Sequence, residues 1–293
     1  FDIGSAVASS IISIYRDPNP SLDSALVERF IITCMGVYFS MINYLKKNPT
    51  DVVYAFNGRF SETRAVLRAC NSLNIKCLLH ERGHSKHHYS LFENTTIHDL
   101  RNTERVILET WENADKEQRV ELASRWYNNR ISGKSELWFP FIENPTSELP
   151  SNWDPNQRNI LICNSSEDEF ASVGEEWKNP LYKNQLDGIT RIVTDGMKLP
   201  NTHFYLRVHP NLKKVVNDDL KELMKFQSPN LTVIPADDAM NTYVMVQHAD
   251  KVITFGSTMG MESTYMGKAS ILAGKTFYYY LGGTYNPQNH DEL

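Results

Sequence analysis

Five short apolar runs in this sequence end in side chains able to do chemistry. Asn57-Gly58-Arg59 follows Asp51–Phe56, and His80-Glu81-Arg82-Gly83 follows Lys76–Leu79. Asn164-Ser165-Ser166-Glu167-Asp168-Glu169-Phe170 follows Asn159–Cys163. His209-Pro210 follows Thr202–Val208, and Gly256-Ser257-Thr258 through Glu262 follows Lys251–Phe255. An ordinary strand end needs a turn residue and little else. Five ends carrying Arg, His, Glu, Ser or Thr form a constellation suited to an anionic, hydroxyl-bearing ligand.

Gly256-Ser257-Thr258 precedes a helical stretch, so its amides and hydroxyls point beyond the strand and suit a phosphate. The plainer reading is helix capping by Ser257 or Thr258. Arg207 and His209 bring a cation and an imidazole to a neighbouring strand end, and Pro210 stiffens the turn that presents His209. His209 can bond a phosphate oxygen or stabilise a leaving phosphate, or it can merely cap the next helix. Ser165 and Ser166 open a first βα loop, where backbone approaches phosphate closely. That loop lacks GxGxxG, so no dinucleotide cofactor is expected. Glu262, one helical turn after Thr258, can accept both hydroxyls of a ribose, or it is a surface charge near Lys268.

Two carboxylates are candidates for the chemical step. Glu81 follows a buried strand between His80 and Arg82 and is the expected base, with Asn57, Arg59 and Arg82 facing the same cleft to hold a charged sugar or acceptor. The plainer reading is an ion pair of Glu81 with Arg59 or Arg82. Asp168, with Glu169 beside it, is placed on the opposite wall as a second candidate, a nucleophile for a two-step reaction. A loop cap explains Asp168 equally well.

Two motifs mislead. His80-Glu81-Arg82-Gly83-His84 spells HExxH, but zinc needs both histidines on one helix face, and here a strand precedes and Gly83 intervenes. No metal is expected. The last residues, His290-Asp291-Glu292-Leu293, spell an ER-retrieval signal, and sequons stand at Asn94, Asn164 and Asn230. Asn164 lies in the proposed ligand loop, which argues against a lumenal protein.

The elements that position these groups alternate. In the second half the pattern reads strand Asn159–Cys163, helix Leu181–Met197, strand Thr202–Val208, helix Leu212–Phe226, strand Leu231–Ile234, helix Ala239–His248, strand Lys251–Phe255, helix Thr258–Met266 and strand Ser270–Leu272. Apolar strands alternating with helices predict a parallel sheet covered on both faces. The first half begins with one or two helices over Leu22–Lys46 and continues with strand Asp51–Phe56, helix Ser61–Leu73, strand Lys76–His80 and a charged helical stretch Glu104–Ile131, broken near Asn113–Ala114. Between the halves, Glu143–Arg158 is rich in Pro, Asn and Ser and reads as a linker. The expectation is an α/β protein of two Rossmann-like domains, 1–145 and 146–293, with parallel sheets facing a central cleft.

The chain has 293 residues with 41% hydrophobic and 22% charged side chains, ordinary for a globular protein. Its formal charge of −5 argues against a sequence-independent nucleic-acid binder. Cys34, Cys70, Cys77 and Cys163 lie in apolar surroundings without a CxxC, as buried free thiols do. The longest apolar run, around Phe30–Ile42, is interrupted by Thr33, Gly36 and Ser40 and is read as too short to span a membrane. Residues near the start show no signal-peptide pattern, and a segment before Phe1 stays open.

With these motifs in order, the chain resembles the bacterial capsule-polysaccharide biosynthesis family that includes the β-Kdo transferases. The resemblance rests on Asn57-Gly58-Arg59, His80–Gly83, Asn164–Ser166 with Asp168-Glu169-Phe170, Arg207–Pro210, and Val252–Thr258 through Glu262, and it spans about Asp51 to Gly274. The His209-Pro210 pair followed by Ser257-Thr258 is also similar to bacterial sialyltransferases, which use CMP-sugars. The resemblance implies a GT-B glycosyltransferase with an acceptor-side N-terminal domain and a donor-side C-terminal one. It implies that His209, Ser257 and Thr258 hold a CMP phosphate and that Glu262 serves the ribose or cytosine side. A single phosphate neutralised by fixed donors needs no metal, in keeping with the lack of a DxD. The implied reaction moves Kdo or a related acidic sugar to a capsule, lipopolysaccharide or O-antigen glycan, in the cytoplasm or peripherally at the inner membrane face. The alternatives are a UDP-sugar or CDP-glycerol transferase, or a non-catalytic nucleotide-sugar-binding module of a larger synthase.

Overall fold

The structure, a computed structural model, describes residues 2–83, 85, 87–134 and 145–293. It divides into two compact units. The first takes the described residues up to Ile107 together with Asp168–Trp177; the second takes the described residues from Leu108 to Glu167 and Lys178–Leu293.

The first unit starts with helices α1 (Ile3–Tyr15) and α2 (Ser24–Lys47), followed by β1 (Val52–Phe56), α3 (Ser61–Ser72), β2 (Lys76–Arg82), β3 (Tyr89–Glu93) and the start of α4 (Leu100–Asn113). Its sheet has the order β1-β2-β3. β1 and β2 are parallel, but β3 runs antiparallel to β2, with Glu81 opposite Ser90 and Arg82 opposite Tyr89. The all-parallel expectation is corrected here: β2 continues two residues past His80 because β3 returns beside it and pairs its backbone. Leu45, Leu67, Cys70, Cys77 and Leu79 form one core, and Val7, Ile11, Cys34 and Ala65 another.

Leu22–Lys46 resolves to a single helix, opened by Asp23, whose carboxylate accepts from the Ala25 N–H at 2.9 Å. By length and composition α2 is apolar enough to cross a membrane, which corrects the reading that no run reaches that length. Thr33, Gly36 and Ser40 interrupt the run without adding charge, and a helix averages over them. Only Cys34 and Leu45 of α2 are buried, and Ile31, Ile32, Phe39 and Tyr44 are exposed.

The second unit holds the rest of α4, α5 (Lys116–Ile131) and then β4 (Arg158–Cys163), α6 (Gln185–Gly196), β5 (Thr202–Arg207), α7 (Asp218–Lys225), β6 (Leu231–Ile234), α8 (Thr242–His248), β7 (Lys251–Thr254), α9 (Met259–Tyr265) and β8 (Ala269–Leu272). All neighbours in its sheet, ordered β6-β5-β4-β7-β8, are parallel. One core carries α6 and α7 residues, among them Ile189, Ile192 and Leu223; another carries Met245 and Val246 of α8. The sheet is thus covered on both sides, which is why its strands read as unbroken apolar runs. Asn184, Asn217 and Asn241 cap α6, α7 and α8 with side-chain oxygens.

The boundary near residue 145 is corrected as well. α5 belongs to the second unit, and Leu149 and Trp153 of the supposed linker pack on the α8-side core; residues 143 and 144 lie outside the described residues. The four cysteines are free and buried, as expected.

Candidate functional site

In the second unit β5 and β7 flank β4, and all three run the same way. Cys163 is level with Arg207 on one side and Thr254 on the other, so the loops carrying Ser165-Ser166, His209-Pro210 and Gly256-Ser257-Thr258 leave one sheet edge together. This is the edge at which open α/β sheets bind ligands. Asn164, 4% exposed, ties two of the loops by accepting the His209 N–H at 2.7 Å.

The His209 Nδ1 accepts from the Asn211 N–H at 3.2 Å, so the residue does cap the turn at Pro210–Leu212. With Nδ1 used as an acceptor, the neutral ring carries its proton on Nε2, a donor suited to an anion. Gly256 has φ +91°, a left-handed conformation that favours glycine and swings the loop out of β7. The Ser257 carbonyl accepts from the Tyr278 hydroxyl, and its Oγ accepts from the Met259 N–H at 3.3 Å. Thr258 makes no side-chain cap bond at the start of α9. Ser165 is enclosed: its Oγ donates to the Phe255 carbonyl at 2.7 Å, and its N–H donates to Gln185 Oε1 at 2.9 Å. Ser166 is buried, and its Oγ has no hydrogen-bond partner.

Two expected donor-binding residues serve the fold. Arg207 is 2% exposed, and its guanidinium donates to the carbonyls of Pro235 and Asp238, pinning the loop after β6. Glu262 is fully buried. Arg130 Nη2 donates to its Oε1 at 2.8 Å, Arg130 Nε donates to its Oε2 at 3.0 Å, and the Tyr243 hydroxyl donates to Oε2. Arg130 also lies over the Trp126 ring, 4.8 Å from its centroid, and Tyr127 stacks on Tyr265 at 4.2 Å. Glu262 is therefore neither a surface charge nor an open carboxylate.

The first unit gathers a separate polar cluster. Asn57 and Gly58 both have positive φ, and a Cβ on Gly58 would run into Leu79, so the Asn-Gly pair makes the turn that β1 needs. Asn57 Nδ2 donates to Glu81 Oε2 at 2.6 Å, and the Arg82 N–H donates to Glu81 Oε1 at 2.9 Å. The Asn57 Oδ1 accepts the Arg59 N–H at 3.1 Å. Arg59 in turn donates to the Glu169 carbonyl at 2.6 Å, the Asp168 carbonyl at 2.9 Å and Ser9 Oγ at 2.8 Å. Arg59 is thus held by two backbone carbonyls and the Ser9 hydroxyl.

The placement of Asp168 is corrected. The residue packs in the first unit, not on a donor-side wall, and its buried carboxylate accepts from Arg16 Nε at 2.7 Å. Glu81 lies within β2 rather than beyond it. Around Asp168, Phe170 stacks on Trp177, whose Nε1 donates to the His98 carbonyl at 2.6 Å. Burial, with the Arg59 and Arg64 charges nearby, pushes the His98 imidazole down to about 3, so it stays neutral. Arg16, His98, Trp177 and Arg130 carried no strand-end signal and went unread. His80-Glu81-Arg82 lies in a strand and His84 outside the described residues; among the described residues no cluster of His, Cys, Asp and Glu is arranged to hold a metal.

A family model described as "Capsule polysaccharide biosynthesis protein" matches residues 191–292. No curated protein matches the chain by sequence. Two solved structures from Thermosulfurimonas dismutans share the fold. KpsC, beta Kdo 2,4 transferase, aligns with TM-score 0.55 and 15% identity over 82% of this chain and 73% of that one. KpsC, beta Kdo 2,7 transferase, aligns with TM-score 0.52 and 16% identity over 89% and 83%. The resemblance read from the motifs holds: the chain has a Rossmann-like GT-B fold and carries the sequence pattern of the capsule polysaccharide biosynthesis family in residues 191–292.

Proposed function

We propose that this chain is a glycosyltransferase of bacterial capsule or related surface-glycan synthesis, moving Kdo or a similar acidic sugar from a CMP donor to a glycan acceptor. The observation that carries this reading is the family match over 191–292, which contains His209, Ser257 and Thr258 on one edge of a parallel sheet. His209 Nε2, the Ser257 and Thr258 hydroxyls and Ser166 Oγ supply fixed neutral donors for a single phosphate, so no metal is required. Glu81, oriented by Asn57, takes the proton of the acceptor hydroxyl. The acceptor oxygen attacks the anomeric carbon, and CMP leaves with the electron pair on its phosphate oxygen. The exposed apolar side chains of α2 support peripheral contact with the inner face of the cytoplasmic membrane, where a glycolipid acceptor is held.

Calorimetric titration with CMP, UDP and CDP, followed by product analysis with CMP-Kdo in EDTA, tests the reading. Preferential CMP binding and metal-free transfer are expected. A preference for UDP or CDP would move the assignment to another donor class, and CMP binding without transfer would make the chain a binding module.

A further inference from the structure

The loop between β4 and α6 is filled from within. In doubly wound folds the first such loop leaves its amides, and the first amides of the following helix, open to a ligand's phosphates. Here the Ser165 N–H is taken by Gln185 Oε1, and Gln185 Nε2 donates to Ser165 Oγ at 2.9 Å. The Gln185 N–H, first of the twelve-residue helix α6, faces both carboxylate oxygens of Glu167 at 3.3 Å. A carboxyl group of the protein thus stands where a phosphate would meet the positive end of α6. Of the loop's buried side-chain atoms, Ser166 Oγ, on a residue 1% exposed, has no hydrogen-bond partner. The loop therefore presents a buried hydroxyl beside two amides, of Ser165 and Gln185, that the protein's own side chains already hold.

We infer that Glu167 is a specificity-determining residue: it occupies the position of a second phosphate, so the site accepts a donor with one phosphate and turns away nucleoside diphosphates. This rests on the nucleotide-sugar reading above and names its phosphate count. The surroundings agree, because Asp219 at the start of α7 adds a further negative charge toward Glu167. Burial and Asp219 push the Glu167 carboxyl up to about 7, so the group is fully ionised only above neutrality.

The test is a calorimetric titration at pH 8 of the full chain, as wild type, Glu167→Gln and Glu167→Ala, with CMP and with CDP. Melting curves confirm that each variant is folded. The wild type should bind CMP at least about tenfold more tightly than CDP, and both variants should narrow that ratio about tenfold by gaining CDP affinity, the scale of one charge-assisted contact. A wild type that prefers CMP while both variants keep the ratio within about twofold overturns the role of Glu167 and leaves the donor reading standing. A wild type that binds CDP as well as CMP, or neither, overturns both.

Discussion

Residue type and spacing pick out His209 and Glu81, and the structure fixes the orientation of each. The ring of His209 is fixed by its cap bond through Nδ1, and its backbone is held by Asn164. His209→Ala should weaken CMP binding by roughly 1.5–3 kcal/mol, the usual loss for a hydrogen bond to a charged group, with little change in melting temperature; titration calorimetry reads it, and unchanged affinity removes His209 from the site. The two carboxylates separate more sharply. Glu81→Gln should lower transfer about 10²–10⁴-fold, the range of general-base catalysis, with CMP affinity intact. Asp168→Asn should instead lower stability modestly, because it weakens the ion pair of a buried carboxylate with the half-exposed Arg16, and intact mass should show no sugar adduct on the wild type. An adduct that disappears in Asp168→Asn would restore the nucleophile role. Arg59 and Arg207 show why type and spacing alone mislead. A guanidinium at a strand end satisfies loop carbonyls as readily as a ligand, and the sequence looks the same in either case.

At the scale of elements, the apolar runs of the second unit were legible because both faces of its sheet are buried, so β4, β5 and β7 announce themselves without regard to neighbours. β3 was not legible. Tyr89–Glu93 has an alternating exposed pattern, and only pairing with β2 makes it a strand. Its presence draws Glu81 and Arg82 into the sheet. α5 was read as a helix but placed in the first domain, whereas it belongs to the second unit. It buries none of its side chains below the surface, yet Arg130 near its end is 10% exposed in the bidentate pair with Glu262. That pair, with the Tyr127–Tyr265 stack, clasps α9 and so holds the end of the Gly256–Thr258 loop. Arg130→Ala leaves a buried carboxylate facing only Tyr243 and should cost about 3–5 kcal/mol. The double variant Arg130→Met, Glu262→Met should recover most of that loss, since apolar groups of similar size replace a buried pair at little cost. Denaturant unfolding of both variants measures this. A single variant as stable as wild type would mean that the clasp does not hold α9.

At the scale of the molecule, composition suggested one cut near residue 145, and the chain is divided otherwise. The stretch rich in Pro and Asn lies in the second unit because Leu149 and Trp153 anchor it to a core, whereas the actual change of unit falls within helix α4, between Ile107 and Leu108, where nothing in the sequence changes. Asp168–Trp177 leaves the second unit and returns, an excursion that local patterning cannot register because Arg59 and Arg16 of the first unit are what hold it. Each unit nevertheless has cores of its own, so unfolding need not be a single step. If the nucleotide is held by His209, Ser166, Ser257 and Thr258, then its binding energy belongs to the second unit alone. CMP at 100 times its dissociation constant should stabilise that unit by about 2.7 kcal/mol and leave the other where it was. Differential scanning calorimetry with and without CMP, combined with limited proteolysis to assign the transitions, reads this directly. The transition that moves should be the one protecting cleavage sites in 158–272. A CMP shift confined to the transition that protects 52–93 would place the nucleotide with Asn57, Glu81 and Arg82 and reverse the assignment of donor and acceptor sides.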